Sequence, residues 1–361
     1  MVAKFLNSRM MIVSSMRIAH VAPVIYPVPP ATYGGTERVV ADLARAQIGA
    51  GETVAVFGPA DGALNGVEFI GAYRSVSWHA ARAGQDMPPG FPAELEALQL
   101  RDLLREANRF DVLHLHGSAH ASGVAAMFGK PVFRTVHWRA DEADHALHFE
   151  TFPEERVIAI SQRQARDVPA GSLAGVVHHG IPLDRYKLQD TPREYLAFIG
   201  RMTDQKRPDR AIELGRRIGL PVKLAGPVDP GNPAYFERTV APLLGPGAVH
   251  VGGIDDARKQ DFLSSARALV FPIDWPEPFG LVMIEAMACG TPVIAWDRGS
   301  VPEIVEDGVT GLVVSSLEEA ATRFASAMAL DPKDIRRRFE ERFSSARMAR
   351  EIRGLYTSAF G

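Results

Sequence analysis

The sequence predicts an α/β protein with two doubly wound, parallel-sheet domains that face each other across a cleft. Two observations predict this fold class: short, almost wholly apolar runs alternate with amphipathic helical runs, and the pattern occurs twice along the chain. Continuous apolar strands are typical of a parallel sheet buried on both faces. The length of 361 residues agrees with two domains, because it exceeds what a single core usually holds.

Each half of the chain contributes its own strands and helices. The strand-like runs are 17–22, 53–57, 112–115, 132–136 and 157–160 in the first half, and 195–199, 222–225, 249–251, 268–271 and 293–296 in the second. Apolar residues at helical spacing separate these runs, for example over 36–48 and 94–107. Strands that alternate with helices predict βαβ units and therefore parallel sheets.

A polar stretch with glycine and proline at 178–189 interrupts this pattern and predicts the boundary between the domains. The expected units are 1–15, 16–182, 183–335 and 336–361. They correspond to an N-terminal extension or misassigned start, an N-terminal domain, a C-terminal domain, and a helix that returns to the N-terminal domain. Arginines in the last unit are interleaved with glutamates, which predicts a solvated, salt-bridged helix face.

Composition and charge exclude several classes of function. The net charge of −3 argues against a protein that binds nucleic acid by neutralising its phosphates. Cys289 is the only cysteine, so no internal disulfide can form, which agrees with a reducing, cytoplasmic compartment. No apolar run approaches the ~18 residues that are needed to span a bilayer.

The most informative stretch is 277–285, in which Glu277 lies in a tight Pro-Phe-Gly loop and Glu285 lies just inside a helical run. The backbone amides between them stand at a helix N-terminus, which is a natural seat for a phosphate. Carboxylates repel a phosphate but accept strong hydrogen bonds from hydroxyl groups. A site that holds both phosphate and hydroxyls indicates a sugar nucleotide as the ligand.

Two further elements favour phosphate binding at strand ends. Arg201 ends a strand and Lys206 follows in a polar loop, so a guanidinium fork and a point charge are available for a diphosphate. Gly34 and Gly35 follow the first strand, where paired glycines let backbone amides approach a phosphate. The alternative interpretations are ordinary surface charge for the two cations and a simple turn for the two glycines.

Histidines concentrate between 114 and 148, and they leave a metal site open as a rival interpretation. His114 and His116 lie two residues apart on a predicted strand and therefore face the same side, with His116 at its carboxyl end. A zinc site would need a further ligand. The nearby candidates are Asp141, Glu142 and Asp144. Otherwise the segment 138–152 is interpreted as a polar loop over the cleft.

Taken together, these residues resemble the retaining glycosyltransferases of the GT-B fold, specifically family 4, the glycosyl transferases group 1. The similarity extends from Met16 to the final helix, and its most specific part is the E-x7-E element formed by Glu277 and Glu285. Further matching segments are 33–37 (YGGTE), 111–116 (DVLHLH), 159–161 (AIS), 179–182 (HGIP), 200–206, 290–294 (GTPVI) and 301–305 (VPEIV). His179 departs from the asparagine that the family often has at this position.

The resemblance implies two Rossmann-like domains across a cleft, and it implies roles for individual residues. The implied donor-binding set is Gly34, Gly35, Arg201, Lys206, Glu277, Phe279, Gly280, Leu281 and Glu285. The implied catalytic set is His116, Glu277, Arg201 and Lys206. The cations would stabilise the departing diphosphate, Glu285 would bind the ribose hydroxyls, and Glu277 and His116 would contact the donor sugar. Acceptor-side candidates are Tyr33, His137 and Trp138.

The implied activity is transfer of a hexose from a UDP- or GDP-sugar to an acceptor hydroxyl, by same-face substitution, in glycan or glycoconjugate biosynthesis. No cofactor or metal is expected, because the sequence contains no D-x-D string and Arg201 and Lys206 can neutralise the leaving group. The expected partners are the nucleotide sugar and a hydroxyl acceptor, without nucleic acid. Peripheral membrane contact is expected if the acceptor is a lipid.

Three other functions remain open at the level of sequence. A non-catalytic sugar-nucleotide-binding protein could use the same fold, but we expect it to lack one of the phosphate-binding cations or carboxylates. A metal-dependent hydrolase could be built on the histidines, and metal analysis of purified protein would identify it. A phosphorylase or epimerase could also use the same two-domain architecture.

Overall fold

The computed structural model describes residues 15–31, 34–117 and 119–360, and it confirms the predicted α/β architecture with two parallel sheets. The N-terminal sheet contains β1 (Arg17–Val21), β2 (Thr53–Phe57), β3 (Glu68–Ile70), β4 (Val112–Leu115), β5 (Val132–Thr135), β6 (Arg156–Ala159) and β7 (Leu173–Val176). The C-terminal sheet contains β8 (Tyr195–Ile199), β9 (Val222–Ala225), β10 (Ala248–His250), β11 (Ala266–Phe271), β12 (Val293–Trp296) and β13 (Gly311–Val314). The extension expected at 1–15 lies almost wholly outside the described residues.

Helices cover both faces of each sheet, which is why the central strands are buried and apolar. In the first domain they are α1 (Gly35–Gly49), α2 (Val76–Ala83), α3 (Phe91–Glu106), α4 (His120–Ala125), α5 (Ala143–Thr151) and α6 (Gln162–Ala165). The others are α7 (Pro208–Ile218), α8 (Pro233–Tyr235), α9 (Asp256–Ser264), α10 (Leu281–Ala288), α11 (Val301–Ile304), α12 (Leu317–Met328), α13 (Pro332–Arg342) and α14 (Ser345–Ser358). None of the described helices combines the length and the apolar character that a bilayer crossing requires.

The strand order of each sheet reverses beside its first strand. The orders are β3-β2-β1-β4-β5-β6-β7 and β10-β9-β8-β11-β12-β13. In open parallel sheets a crevice forms beyond the carboxyl ends of the strands at such a switch point. The segments that leave β1, β4, β8 and β11 at these ends contain Gly34, His116, Arg201 and Glu277. The topology therefore directs the predicted site residues toward one cleft.

Some elements were missed by sequence analysis. The strands β3, β7 and β13 are sheet edges, and β3 and β7 are only half-buried, so their apolar pattern is weak. The prediction of a polar loop over 138–152 was wrong in its second part, because α5 occupies nine residues of it. Phe149 and His148 are buried on one face of α5, and polar neighbours hide this spacing in the sequence.

The single helix predicted for 336–361 is two helices, and the chain crosses between the domains at their break. The helix α13 packs against α10 of the C-terminal domain, and Phe343 after it is completely buried in that domain's core. Ser344 caps α14, since its hydroxyl accepts a hydrogen bond from the Arg347 amide at 3.3 Å. The helix α14 then packs against α1 of the N-terminal domain. The crossover therefore lies at 343–344 and not at 336.

Ion pairs and amide contacts join the two domains beside the cleft. Arg38 of α1 pairs with Asp256 of α9. Asp42 of α1 accepts hydrogen bonds from both terminal nitrogens of Arg185, which lies at the start of the second domain. Glu303 of α11 accepts hydrogen bonds from the first amides of α6, at 2.6 and 2.7 Å. These contacts fix the orientation of the facing strand ends.

Tyr356→Phe should lower the free energy of unfolding by about 1–3 kcal/mol, because it leaves a buried hydrogen-bonding group without its partner. The Tyr356 hydroxyl lies 2.6 Å from Nδ1 of His114, and both side chains are completely buried. Tyr73→Phe is the matched control, since the buried Tyr73 hydroxyl has no hydrogen-bond partner among the described residues. Urea-induced unfolding measures both variants, and an unchanged stability of Tyr356→Phe would contradict this account.

Candidate functional site

The cleft between the domains includes three connected chambers, within the described residues. The central chamber has a volume of about 360 Å³ and contains Lys206 and Glu277. The C-terminal chamber, of about 580 Å³, contains Lys259 and Glu285. The N-terminal chamber, of about 320 Å³, contains Arg134 and the acidic end of α5. The central chamber meets the C-terminal chamber at Gly34, Gly35, Ile199, Gly200, Leu281 and Val282, and the N-terminal chamber at Thr36, His137 and Trp138.

The N-terminus of α10 lies where the central and C-terminal chambers meet. Gly280 precedes the helix with φ of 81°, a left-handed conformation that favours glycine. A Cβ at this position would also lie 2.7 Å from the Met283 side chain. Leu281 and Val282 line both chambers, so the unpaired amides of the first helical turn stand at the junction. This geometry agrees with the phosphate seat that the sequence predicted.

Glu277 is buried beside the central chamber and is held by two donors. The Trp275 indole donates to its Oε2 at 2.8 Å, and the Lys206 ammonium contacts the same oxygen. Lys206 also lies 4.9 Å from the centre of the Trp275 ring, so the indole contacts both members of the ion pair. The second carboxylate oxygen of Glu277 remains for a ligand. Trp275 was not predicted from the sequence, although it lies only two residues before Glu277.

Glu285 has a corresponding partner in the C-terminal chamber. The Lys259 ammonium donates to its Oε1 at 2.8 Å, and the Tyr186 hydroxyl lies 3.4 Å from the same atom. Glu285 is buried, so this charge requires its partner. Lys259 was not predicted from the sequence, because nothing in the first turns of α9 indicates which carboxylate it faces. Each glutamate of the E-x7-E element therefore forms an ion pair with a lysine.

Arg201 and the glycines complete the junction. Arg201 follows β8 and lines the central chamber, where its nearest described carboxylate is Asp229 at 3.8 Å. Gly34 and Gly35 line both adjoining chambers at the start of α1. Gly34 has φ of 140°, which favours glycine at this turn. Tyr33, the acceptor-side candidate before them, lies outside the described residues.

His116 does not line the central chamber; it stands behind His137 in a chain of hydrogen-bonded rings. The oxygen of Gln47 lies 2.7 Å from Nε2 of His20, and Nδ1 of His20 lies 2.9 Å from Nε2 of His116. Nδ1 of His116 lies 3.0 Å from Nε2 of His137, which lines both the central and N-terminal chambers. The prediction that His116 contacts the donor sugar stays a prediction: among the described residues, His116 lines the N-terminal chamber and reaches the central chamber through His137.

Burial keeps this histidine chain neutral. It lowers the pKa of His20 to about 4 and that of His137 to about 3. The pKa of His116 is lowered well below its ordinary value by burial and by the neighbouring rings. Neutral imidazoles carry one donor and one acceptor nitrogen each, so the chain has one direction of hydrogen bonding.

The rival zinc site would have to compete with hydrogen bonds that its candidate ligands already make. The only group of three close ligands in the described chain is His20, His114 and His116, and the acids at 141, 142 and 144 are not part of it. Nδ1 of His20 and Nε2 of His116 face each other at 2.9 Å, whereas zinc ligands on one tetrahedral ion stand about 3.3 Å apart. Both ring nitrogens of His114 contact hydroxyls, at 2.6 and 2.7 Å. A metal would have to replace this network.

The remaining acceptor-side candidates lie together at the junction of the central and N-terminal chambers. The His137 ring stacks on His179 with an interplanar angle of 17°, and the Trp138 ring centre lies 5.1 Å from that of Trp275. His179, the departure from the family pattern, thus supports His137. Trp138 is 40% exposed, so its ring is available to a ligand at the chamber entrance.

Glu37 is a buried carboxyl group beside the central chamber that sequence analysis did not single out. Burial raises its pKa to about 7, although hydrogen bonds from the amides of Tyr26 and of Glu37 itself oppose the shift. Its ordinary pKa is 4.5, so the native state binds this proton more tightly than the unfolded state does. Its contribution to stability is therefore full below about pH 4.5 and is lost as the pH rises through 7.

Glu37→Gln should remove this pH dependence, which amounts to on the order of 3 kcal/mol. The stability of the variant relative to wild type should rise between pH 5 and pH 8, as measured by urea-induced unfolding at each pH. The buried histidines titrate in both proteins and cancel in the difference. Glu318→Gln, an exposed site, is the control. A difference that does not change with pH would contradict the shifted pKa.

Comparisons with known proteins agree with this geometry. The family description "Glycosyltransferase Family 4" matches residues 33–185, and "Glycosyl transferases group 1" matches residues 183–344. The D-inositol 3-phosphate glycosyltransferase of Streptomyces scabiei is 31% identical over 261 residues, which are 59% of this chain and 58% of that protein. The alpha-maltose-1-phosphate synthase of Mycobacterium tuberculosis is 34% identical over 147 residues, or 39% and 38% of the two chains. The chain thus spans less than two thirds of the length of these relatives.

Solved structures share the fold over almost the whole chain. Sucrose-phosphate synthase from Thermosynechococcus elongatus has a TM-score of 0.74 at 22% identity, over 96% of this chain and 99% of that one. Anabaena HepE, solved with UDP and glucose, has a TM-score of 0.70 at 19% identity, over 95% and 100%. Because the two family descriptions together span residues 33–344 and the fold is shared, this chain belongs to the family 4 glycosyltransferases and has the GT-B fold.

Proposed function

We propose that the protein transfers a hexose from a nucleoside-diphosphate sugar to an acceptor hydroxyl, with retention of configuration and without a metal ion. The observation that supports this most is the junction of the central and C-terminal chambers. There the N-terminus of α10 and Arg201 stand between the two lysine–glutamate pairs. Groups that bind a diphosphate thus lie between groups that bind hydroxyls.

The nucleoside part of the donor would lie in the C-terminal chamber, where Glu285 accepts hydrogen bonds from the ribose hydroxyls. The diphosphate would lie at the junction, against the amides of Gly35 and Leu281. The sugar would then extend into the central chamber toward Glu277. A protein of this fold was solved with UDP-glucose, so a UDP-sugar is the first donor to test.

The two lysines give the ligand-free cleft balanced charge. When the donor binds, its hydroxyls can take over part of the hydrogen bonding to each carboxylate, and Lys206 can turn toward the diphosphate. This exchange keeps every buried charge paired before and after binding. It also places Lys206 and Arg201 where negative charge grows as the leaving group departs.

In the chemical step the bond between the anomeric carbon and the phosphate oxygen breaks, and its electron pair goes to the nucleoside diphosphate. The acceptor hydroxyl attacks from the same face, and its proton goes to a donor phosphate oxygen. A covalent route would need a carboxylate free to reach the anomeric carbon. Glu277 is restrained by Trp275 and Lys206, which supports the same-face route.

The acceptor would enter through the N-terminal chamber, since this chamber meets the central one at His137 and Trp138. His137 would contact the hydroxyl groups at the meeting point, and His116 would support it from behind. The relatives are named for a phosphorylated acceptor, D-inositol 3-phosphate, and for a phosphorylated product, alpha-maltose 1-phosphate.

The proposed function is tested by mixing the purified protein with UDP- and GDP-sugars and measuring release of the nucleoside diphosphate, with and without a strong chelator. We expect at least one donor to be turned over, even if slowly by water, and the rate to survive chelation. A shift of the melting temperature by nucleoside diphosphates identifies the base, since ligands that bind the native state stabilise it. Binding without any turnover would favour a sugar-nucleotide-binding protein, and loss of activity on chelation would contradict metal independence.

Glu285→Gln should weaken binding of the nucleoside diphosphate by about tenfold or more, because hydrogen bonds to a charged acceptor contribute about 1.5–3 kcal/mol each. The isosteric amide keeps the packing of α10, so the melting temperature of the ligand-free protein reports any general damage. Isothermal titration measures the affinity, with Glu318→Gln as the control for loss of one negative charge. An unchanged affinity would exclude the ribose-binding role.

Arg201→Ala should lower kcat by about 100-fold, because the guanidinium stabilises charge that develops on the leaving group. Steady-state kinetics separate this from a binding effect, since an interaction present only in the transition state lowers kcat and leaves KM nearly unchanged. The control is Arg217→Ala, which removes an equal charge from the exposed side of α7. A variant with a raised KM and a normal kcat would show that Arg201 binds the donor without assisting its departure.

A further inference from the structure

The N-terminal chamber has a charge distribution that selects its ligand. Apart from histidines, its ionisable lining groups among the described residues are the Arg134 guanidinium and the Asp144 carboxylate. Each side-chain nitrogen of Arg134 donates to the protein: Nε donates to Glu155 at 2.8 Å, Nη1 donates to the carbonyl of Gly117 at 2.8 Å, and Nη2 donates to the hydroxyl of Ser122. The guanidinium that lines this chamber therefore already has a protein partner at each of its nitrogens.

Glu155, beneath the chamber floor, cancels the positive charge of Arg134. Burial acts to raise the pKa of Glu155, but the hydrogen bond from His148 and the charge of Arg134 outweigh it and lower the pKa to about 2. The carboxylate is therefore ionised, and its Oε1 is buried without a hydrogen-bond partner among the described residues. Arg134 and Glu155 together contribute no net charge.

The rim of the chamber adds negative charge. Asp144 lies in the first turn of α5, where its carboxylate accepts from the His145 amide at 2.8 Å. It thus occupies the helix N-terminus that would otherwise attract an anionic ligand. With Arg134 paired with Glu155, the chamber presents the Asp144 carboxylate, which is 76% exposed and which contacts the imidazole of His145 at 3.2 Å. A phosphate or carboxylate on the acceptor would meet the Asp144 carboxylate here, while the nitrogens of Arg134 already donate to the protein.

The entrance from the central chamber presents a hydrogen-bond acceptor. The oxygen of Gln47 faces His20, so His20 donates from Nε2 and accepts at Nδ1 from His116. His116 in turn accepts at Nδ1 from Nε2 of His137. His137 is then left with an unprotonated Nδ1, which has no partner among the described residues. That lone pair can bind a hydroxyl but repels an anionic oxygen.

The chain of hydrogen-bonded histidines fixes where the ring protons lie and does not conduct a proton away from the ligand. Transfer of a proton from His137 through His116 and His20 would end at Gln47, and an amide oxygen is not a base at neutral pH. Within the described part of the chain, the amide nitrogen of Gln47 is buried without a hydrogen-bond partner, so no carboxylate extends the network to stabilise an imidazolium, in contrast to a Ser-His-Asp triad. The chain therefore fixes which nitrogen of His137 faces the ligand, and Gln47 and His20 are positioning residues.

We propose that the N-terminal chamber binds an uncharged, polyhydroxylated acceptor, a neutral sugar or polyol, and discriminates against acceptors that carry a phosphate in this chamber. One hydroxyl of the acceptor donates a hydrogen bond to Nδ1 of His137, and other hydroxyls donate to the Asp144 carboxylate. This inference rests on the proposed function, because it concerns the acceptor of the same reaction. It distinguishes this chain from relatives named for phosphorylated compounds.

The test compares neutral and phosphorylated members of matched acceptor pairs. The pairs are myo-inositol with D-inositol 3-phosphate, maltose with alpha-maltose 1-phosphate, and glucose with glucose 6-phosphate. Release of nucleoside diphosphate above the rate with water alone gives kcat/KM for each. We expect a neutral member to be preferred by about tenfold or more, the effect of one like charge nearby. A preferred phosphorylated member, or no neutral member accelerating release, overturns the inference.

Donor hydrolysis by water alone separates this outcome from failure of the proposed function. If no donor is turned over, both proposals fail. If a donor is turned over and phosphorylated acceptors are preferred, only the present inference fails.

Glu155→Gln should improve the use of phosphorylated acceptors. It removes the charge that cancels Arg134, so the preference for neutral acceptors should fall by about tenfold. Glu318→Gln, which removes the same charge from an exposed site in the other domain, should leave the preference unchanged. If the melting temperature shows that Glu155→Gln is unfolded, Asp144→Asn replaces it, since that side chain is 76% exposed. An unchanged preference in the folded variant overturns the inference.

The protonation of the two ring nitrogens of His137 can be measured by NMR, and a purely structural role for Gln47 would leave this measurement unchanged. In protein labelled with 15N-histidine, Nδ1 of His137 should give the shift of an unprotonated nitrogen, with His137→Asn identifying the signal. Gln47→Leu should move this shift toward a mixture of the two tautomers and should raise KM for the acceptor. A protonated Nδ1 in the wild-type protein would overturn the assignment.

Discussion

Pairing of buried charge is the constraint on which the cleft depends. The Lys206–Glu277 and Lys259–Glu285 pairs stand on either side of the α10 N-terminus, and both carboxylates are buried. Removing one partner of such a pair typically costs about 3–5 kcal/mol, because the other charge is left uncompensated. The ligand-free cleft is therefore stable only with its lysines in place. A donor with hydroxyls and a diphosphate satisfies the same charges in a different arrangement.

The backbone positions the strand ends that line the cleft and provides amide donors at the N-terminus of α10. Both sheets reverse strand order beside their first strand, so their crevices open onto the same space. The first amides of α10 point into this space. The residue before the helix, Gly280, has a left-handed backbone conformation that glycine adopts without strain. Because these groups belong to rigid elements, they need no reorganisation when charge develops on a ligand.

The two ends of the cleft have opposite electrostatic character. The end that faces the C-terminal domain contains Arg201 in addition to two lysine–glutamate pairs, whereas the N-terminal chamber has its arginine paired with Glu155 and a carboxylate on its rim. Neutral histidines lie between them. A substrate with a diphosphate at one end and hydroxyls at the other would therefore bind in a single direction. This polarity supports both the proposed donor placement and a neutral acceptor.

Sequence alone determined the two parallel sheets, because strands buried on both faces must be apolar throughout, and it located the α10 element through its spacing of two glutamates. Tertiary structure alone decided the partners of these groups. Lys206 and Glu277 are 71 residues apart, and His20 and His116 are 96 apart, so no local pattern relates them. It also placed His137 in front of His116 and divided the last helix at Phe343. Such pairings depend on how separate strand ends and helices pack, which periodicity and motif spacing do not encode.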